Sequence, residues 1–153
     1  MRKLFLTFFY TGLLPKAPGT WGTIAGAIAA LPIIYYFPPT TLFLASLLLS
    51  LIAVREIDKE EAQSGLHDPG WIVIDEVAGV WLALSLSSGN WYQILFTVLY
   101  FRVFDIWKPS VIGRVDREAT GGIGVMGDDL LAGVFAAICS AGTYQILQYF
   151  QLV

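Results

Sequence analysis

Charge is scarce in this sequence. Only 14% of its 153 residues are Asp, Glu, Lys or Arg, against roughly 25% in an average soluble protein. Hydrophobic residues make up 56%, and mean hydropathy is +0.67. So few polar side chains cannot coat a globule, which makes lipid the expected solvent for much of the surface. Positive charge is not in excess either. The net charge is -3 and the pI is near 4.9, which argues against a nucleic-acid partner, since that needs a basic face. Cysteine and histidine occur once each. Cys139 can form no intramolecular disulfide and is read as a small packed hydrophobe. His67 alone is a poor foundation for a histidine zinc site. The length suits one domain, residues 1–153, rather than two.

Five apolar stretches are present, at roughly 21–37, 41–54, 77–86, 92–104 and 130–150. Only the last reaches the roughly 20 residues of a full membrane span unaided. Pro38-Pro39 breaks the first pair and Ser87-Ser88-Gly89-Asn90 the second. Both connections are short, so each is expected to join antiparallel helices. Charges fall in three blocks: Arg2, Lys3 and Lys16; residues 55–76; residues 102–129. If each apolar stretch crosses once, all three blocks share one side. That side holds all nine Lys and Arg and should be cytoplasmic, with Val153 outside. Residues 4–14 follow Arg2 and Lys3 like a signal peptide but lead into Pro15-Lys16-Ala17-Pro18, with no small-x-small cleavage site. The expected fold is therefore all-α: an integral membrane bundle of about five apolar helices with an N-terminal interfacial or half-buried helix. The alternative is a soluble bundle with a greasy core, but Trp, Tyr and Phe near helix ends fit an interfacial belt better.

Four motifs can carry chemistry. Residues 11–23 (Thr11-Gly12-Leu13-Leu14-Pro15-Lys16-Ala17-Pro18-Gly19-Thr20-Trp21-Gly22-Thr23) form a rigid turn opening into a helix. Backbone N–H groups there can hold a phosphate with Lys16 as counter-charge; the plain alternative is a helix start capped by Thr20 or Thr23. In Ile72-Val73-Ile74-Asp75-Glu76-Val77-Ala78-Gly79 two carboxylates interrupt an apolar run, a costly placement unless they are paired or functional. Helix neighbours differ by about 100°, so Asp75 and Glu76 should flank a site rather than point at one spot, with Gly79 leaving room one turn on. Acids suiting a helix start are the alternative. In Phe101-Arg102-Val103-Phe104-Asp105-Ile106-Trp107-Lys108-Pro109, charges recur every three residues on one helical face, which should end at Lys108 before the proline. The alternative there is a structural ion pair. Finally, Gly121-Gly122-Ile123-Gly124-Val125-Met126-Gly127-Asp128-Asp129-Leu130-Leu131-Ala132-Gly133 reads as a glycine-rich loop entering a helix through two aspartates, with Asp128 able to serve as N-cap. Its Ala-Gly-Val after an acidic pair echoes residues 75–80.

Together Asp75, Glu76, Asp105, Asp128 and Asp129 give five carboxylates on one side. Oxygen-only donors select hard cations, so Mg2+ is the natural ion. Lys16, Arg102, Lys108 and Arg114 add positive charge there, and metal plus basic groups at headgroup level suggest chemistry on a phosphorylated lipid. Other phosphatase designs lack their signatures. No arginine lies six residues after Cys139, no Asp-x-Asp occurs, and there is no second histidine.

In order and spacing the four motifs resemble those of the bacterial phosphatidylglycerophosphatase A family, from Thr11 to Gly133. The resemblance implies a magnesium-dependent membrane phosphatase of a single domain. It would remove the terminal phosphate of phosphatidylglycerophosphate to give phosphatidylglycerol at the cytoplasmic side of a bacterial inner membrane. It names a phospholipid substrate and no obligate protein partner. In this chain the expected metal ligands are Asp75, Glu76, Asp105, Asp128 and Asp129. Asp75 or Asp129 is the candidate general base. Lys16, Arg102 and Lys108, with Thr20 and Arg114, are expected to hold phosphate oxygens. A covalent aspartyl-phosphate stays open. The competing class is a small cation or proton transporter using the same carboxylates.

Overall fold

A computed structural model describes residues 1–87 and 89–152. Ser88 and Val153, which figure in the expected second turn and outward C-terminus, lie outside the described residues. Among those described there are seven α-helices and no strand. They are α1 (Arg2–Leu6), α2 (Pro18–Tyr36), α3 (Pro39–Ser64), α4 (Ile74–Ser85), α5 (Trp91–Trp107), α6 (Val111–Glu118) and α7 (Gly121–Tyr149). A 3-10 turn covers Thr11–Leu13. The all-α expectation holds.

Two helices, α3 and α7, are long and apolar enough to cross a membrane, and only 28% of the most apolar window of each is buried. A core helix of a soluble protein would be mostly covered. Here Leu44, Leu48 and Leu51 on α3 and Ile138 and Ile146 on α7 stand exposed, an apolar surface that calls for lipid. Five such helices were expected. At 1.5 Å per residue, the 12 residues of α4 reach about 18 Å and the 17 of α5 about 26 Å, short of a roughly 30 Å hydrocarbon core. The 19-residue α2 is diluted by Gly19, Thr20, Gly22, Thr23 and Gly26.

Short α4 sits at the centre. Ten of its twelve residues are buried, and it packs against α2, α3, α5 and α7. It contributes Val80, Ala83 and Leu84 to one core cluster and Ile74, Val77 and Ala78 to the other. Small residues let α7 approach closely, with Ala132, Gly133, Ala136 and Ala137 all buried. Polar bonds lock the helices: Ser46 Oγ donates to the Ala78 carbonyl at 2.8 Å, and Trp81 Nε1 to the Gly26 carbonyl at 2.8 Å. Such small-residue and hydroxyl contacts are how helices associate where the hydrophobic effect gives no push.

The N-terminal run is not one helix. Thr7 Oγ1 accepts from the Tyr10 N–H at 3.0 Å, and Phe8, Phe9 and Tyr10 all take positive φ, so α1 stops after five residues. Arg2 ties it to α3 through Glu56, Glu60 and Gln63. The starts of α2, α4 and α7 meet the C-terminal ends of α3 and α5 at one end of the bundle. There Arg102 reaches Thr20 and Thr23, and the Gly122 N–H reaches Asp58 at 2.7 Å.

Candidate active site

The loop after α3 is pinned before it enters α4. Glu61 Oε1 accepts from the Asp68 N–H at 2.9 Å and lies 2.7 Å from His67 Nδ1. The Val73 N–H then donates to the Leu6 carbonyl at 2.9 Å. Asp75 and Glu76 follow in the first turn of α4, where the helix dipole favours negative charge. From the facing helix α7 come Asp128 and Asp129. Asp75, Asp128 and Asp129 are 6%, 5% and 3% exposed, so water solvates none of them freely.

Asp75, Glu76 and Asp129 each bring one carboxylate oxygen within 4.8 Å of the others. The expectation that Asp75 and Glu76 would flank a site is thus corrected. Their Cα directions diverge, but the extra methylene of Glu76 lets its carboxylate swing back to the same spot. The room expected at Gly79 is also filled. A Cβ there would lie 2.6 Å from the Asp129 carbonyl and 2.7 Å from the Phe101 ring. Gly79 is small because α7 crosses against it. Gly133 answers from α7, where a Cβ would meet the Gly79 carbonyl at 2.5 Å. The two segments that echo each other in sequence are therefore the two that touch.

The glycine-rich loop is a second correction. Residues 121–129 are already helix, since α7 starts at Gly121. Asp128 and Asp129 lie inside it, and neither is an N-cap. The glycines serve contact, as a Cβ on Gly122 would sit 2.3 Å from the Val54 carbonyl. The Thr20 or Thr23 cap on α2 is absent as well. Its N-cap is Ala17, left-handed and without a side-chain cap bond.

Arg102 pairs with Asp105 and donates to Thr20 Oγ1 at 3.2 Å and Thr23 Oγ1 at 3.3 Å. The helix ends at Trp107, and Lys108 takes φ 45 as its C-cap, where the following proline led one to expect the end. Lys108 Nζ bonds Asp128 Oδ2 at 2.5 Å and also Asp116. Burial works against the Lys108 ammonium, but these two carboxylates outweigh it and raise its pKa above the ordinary lysine value.

A cleft of about 100 Å³ gathers most of these groups, but Arg102 is not among the residues that line it. All five expected carboxylates and Lys108 line it. So do His67, Asp68 and Asp116, which sequence reasoning passed over although each lies inside a charge block. Lys16 and Arg114 are exposed and do not line it. Thr20 meets Arg102 instead.

The five carboxylates thus divide. Asp105 and Asp128 are neutralised by Arg102 and Lys108. Asp75, Glu76 and Asp129 have no cationic side chain in an ion pair with them among the described residues, and Asp75 Oδ1 and Glu76 Oε2, like the second oxygen of Asp128, Oδ1, are buried without a hydrogen-bond partner among those residues. Unpaired buried charge is costly, and three clustered carboxylates repel one another. A hard divalent cation among these oxygens would relieve both, so the donor set fits one.

Comparison with known proteins agrees with the four motifs. The family described as Phosphatidylglycerophosphatase A matches residues 4–144. A Haemophilus influenzae protein of that name is 37% identical over 131 residues, covering 85% of this chain and 80% of its own. The Escherichia coli protein of the same name is 38% identical over 133 residues, covering 84% and 75%. A Bacteroides thetaiotaomicron protein, provisionally named phosphatidylinositol-3-phosphatase, is 36% identical over 143 residues, covering 88% of each. No solved structure matches the chain significantly.

Proposed function

Because this chain belongs to the phosphatidylglycerophosphatase A family, we propose that it hydrolyses the terminal phosphate monoester of phosphatidylglycerophosphate, giving phosphatidylglycerol and phosphate. Within the chain, one observation carries the reading: the buried Asp75 and Asp129 and the half-buried Glu76 converge on a single spot, in a cleft that Lys108 also lines. The transporter alternative finds no support among the relatives, which are named as phosphatases where they are named for an activity.

Asp75, Glu76 and Asp129 would hold Mg2+. Bound there, the ion would polarise a phosphoryl oxygen and lower the pKa of a water molecule. Asp75 or Asp129, through an oxygen not engaged in binding, takes the proton of the attacking water. Arg102 and Lys108 offset the charge on the phosphoryl oxygens as the bond to the glycerol oxygen breaks and that oxygen takes a proton from solvent water. Asp105 and Asp128 keep these two cations in place. Lys16 and Arg114, both exposed, suit a looser task, drawing an anionic headgroup towards the cleft.

The same reading makes residues 1–153 a single membrane-embedded domain, multi-pass in a bacterial inner membrane, with its cleft on the cytoplasmic side. It is supported by the confinement of all nine Lys and Arg to blocks at the cleft end. It is supported too by the alternation in which α2, α4 and α7 begin, and α3 and α5 finish, at that end.

The test is phosphate release by purified protein in detergent from phosphatidylglycerophosphate, phosphatidic acid and phosphatidylinositol 3-phosphate. Phosphatidylglycerophosphate should be hydrolysed fastest, and excess chelator should abolish release until Mg2+ is restored. Preference for the inositol lipid would move the substrate towards that of the Bacteroides relative. Full turnover in chelator, with metal content checked, would sink the metal role.

A further inference from the structure

The start of α2 presents two hydroxyls to a guanidinium that belongs to another helix. Thr20 Oγ1 accepts from Arg102 Nη2 at 3.2 Å, and Thr23 Oγ1 accepts from Nη1 at 3.3 Å. Residues three apart share a helix face, so both hydroxyls can meet one planar group. Thr23 is fully buried and its own proton goes to the Gly19 carbonyl at 2.8 Å. With that proton committed, the oxygen can only accept from Arg102. Neither threonine caps α2, and neither they nor Arg102 line the carboxylate cleft itself, so local structure gives no account of Thr20.

The first turn of α2 is also pressed onto the site. A Cβ on Gly19 would lie 2.2 Å from Glu76 Oε1 and 3.4 Å from Arg102 Nη1. Arginine has five N–H donors. Thr20, Thr23 and Asp105 take up donors on the two Nη atoms, while Nε is buried with no acceptor among the described residues.

We propose that Thr20 and Thr23 are positioning residues for the phosphatase reaction. Their hydroxyls, with Asp105, hold the Arg102 guanidinium in one orientation and leave its remaining donors for phosphoryl oxygens. This rests on the phosphatase reading and gives Thr20 a task other than direct phosphate contact. A fixed guanidinium needs no reordering as charge develops, which is where pre-organised donors gain their effect.

The experiment is steady-state phosphate release from phosphatidylglycerophosphate by the full chain in detergent. The variants are Thr23→Val, Thr23→Ser, Thr20→Val, Arg102→Gln and the double variant Arg102→Gln/Thr23→Val. Valine keeps the shape of threonine and removes the hydroxyl. Thr23→Val should lower kcat about tenfold or more while KM changes less than about threefold. Thr23→Ser should recover most of that loss. In the Arg102→Gln background, Thr23→Val should cost no more than about twofold, since no guanidinium is left to hold. A hydroxyl that merely supports the fold would cost the same in both backgrounds, and that result would overturn the proposal. So would a folded Thr23→Val with kcat within twofold of wild type. Thr20 is only partly buried, so Thr20→Val carries the test if Thr23→Val does not fold: a kcat loss of threefold or more supports the clamp, and a smaller one overturns it. Wild-type protein that releases no phosphate from any lipid overturns the phosphatase reading and the clamp with it; active wild type with indifferent threonine variants overturns the clamp alone.

Discussion

Asp128 and Asp129 are adjacent in sequence and similar in burial, yet they meet different partners. Asp128 faces Lys108, while Asp129 faces Asp75 and Glu76. Asparagine keeps the shape of aspartate and removes its charge, so the two sites should respond differently. Asp129→Asn should lower turnover at least a hundredfold, about 2.7 kcal/mol of transition-state stabilisation. Its melting temperature without metal should hold or rise, because carboxylate repulsion is relieved. Phosphate release and thermal unfolding on one preparation check both. A titration of turnover with Mg2+ separates the pair further. Asp129→Asn should weaken the apparent affinity at least tenfold and Asp128→Asn less than about threefold; equal shifts would mean that Asp128 is itself a ligand. At this scale the residue types were legible, because carboxylates inside apolar runs announce themselves by cost. Their partition was legible only in part. The Arg102–Asp105 pair, three residues apart on α5, is the structural ion pair that the spacing allowed, whereas whether Asp128 binds a metal or Lys108 depends on reach across helices, which no spacing encodes.

The all-α expectation held, with two rather than five helices long and apolar enough to span, but the glycine-rich segment misled. Gly121, Gly122, Gly124 and Gly127 each lower helix propensity by about 1 kcal/mol relative to alanine, and locally they read as loop. Packing overrides that preference where backbones must touch, so the same residues start α7. Pro109, by contrast, fixed the end of α5 from sequence, since its effect on the preceding residue is local. The two kinds of glycine can be told apart by alanine. Gly133→Ala and Gly79→Ala gain helix propensity but drive a Cβ to within 2.6 Å of facing backbone. Overpacking of this kind costs about 1–3 kcal/mol, so both should melt lower and, because the carboxylates ride on these two helices, lose turnover. Gly142, also in α7, has nothing within 4 Å of its would-be Cβ. Gly142→Ala should melt slightly higher with unchanged turnover. A rise in melting temperature for all three would remove the close crossing of α4 and α7.

For the molecule as a whole, the charge blocks carry more information than the hydropathy. They predicted a single polar end, and the structure gathers the cleft there, although two helices rather than five pass as independent spans. Cysteine scanning in a Cys139→Ser background tests the sidedness. With an impermeant thiol reagent on intact spheroplasts, Thr40→Cys, beside the Pro38 turn, should label. Gln63→Cys and Arg114→Cys should label only after permeabilisation, and labelling of Gln63→Cys in intact spheroplasts would invert the topology. The brevity of α4 bears on biogenesis. A twelve-residue segment of about 18 Å bearing two acids is a poor substrate for insertion by itself. Its packing against α2 and α3 can form earlier, but its contact with α7 waits for that helix to be made. Until then Asp75 and Glu76 have no Asp129 beside them. A chain cut short before α7 would carry two of the three clustered carboxylates, and on the phosphatase reading it should release no phosphate.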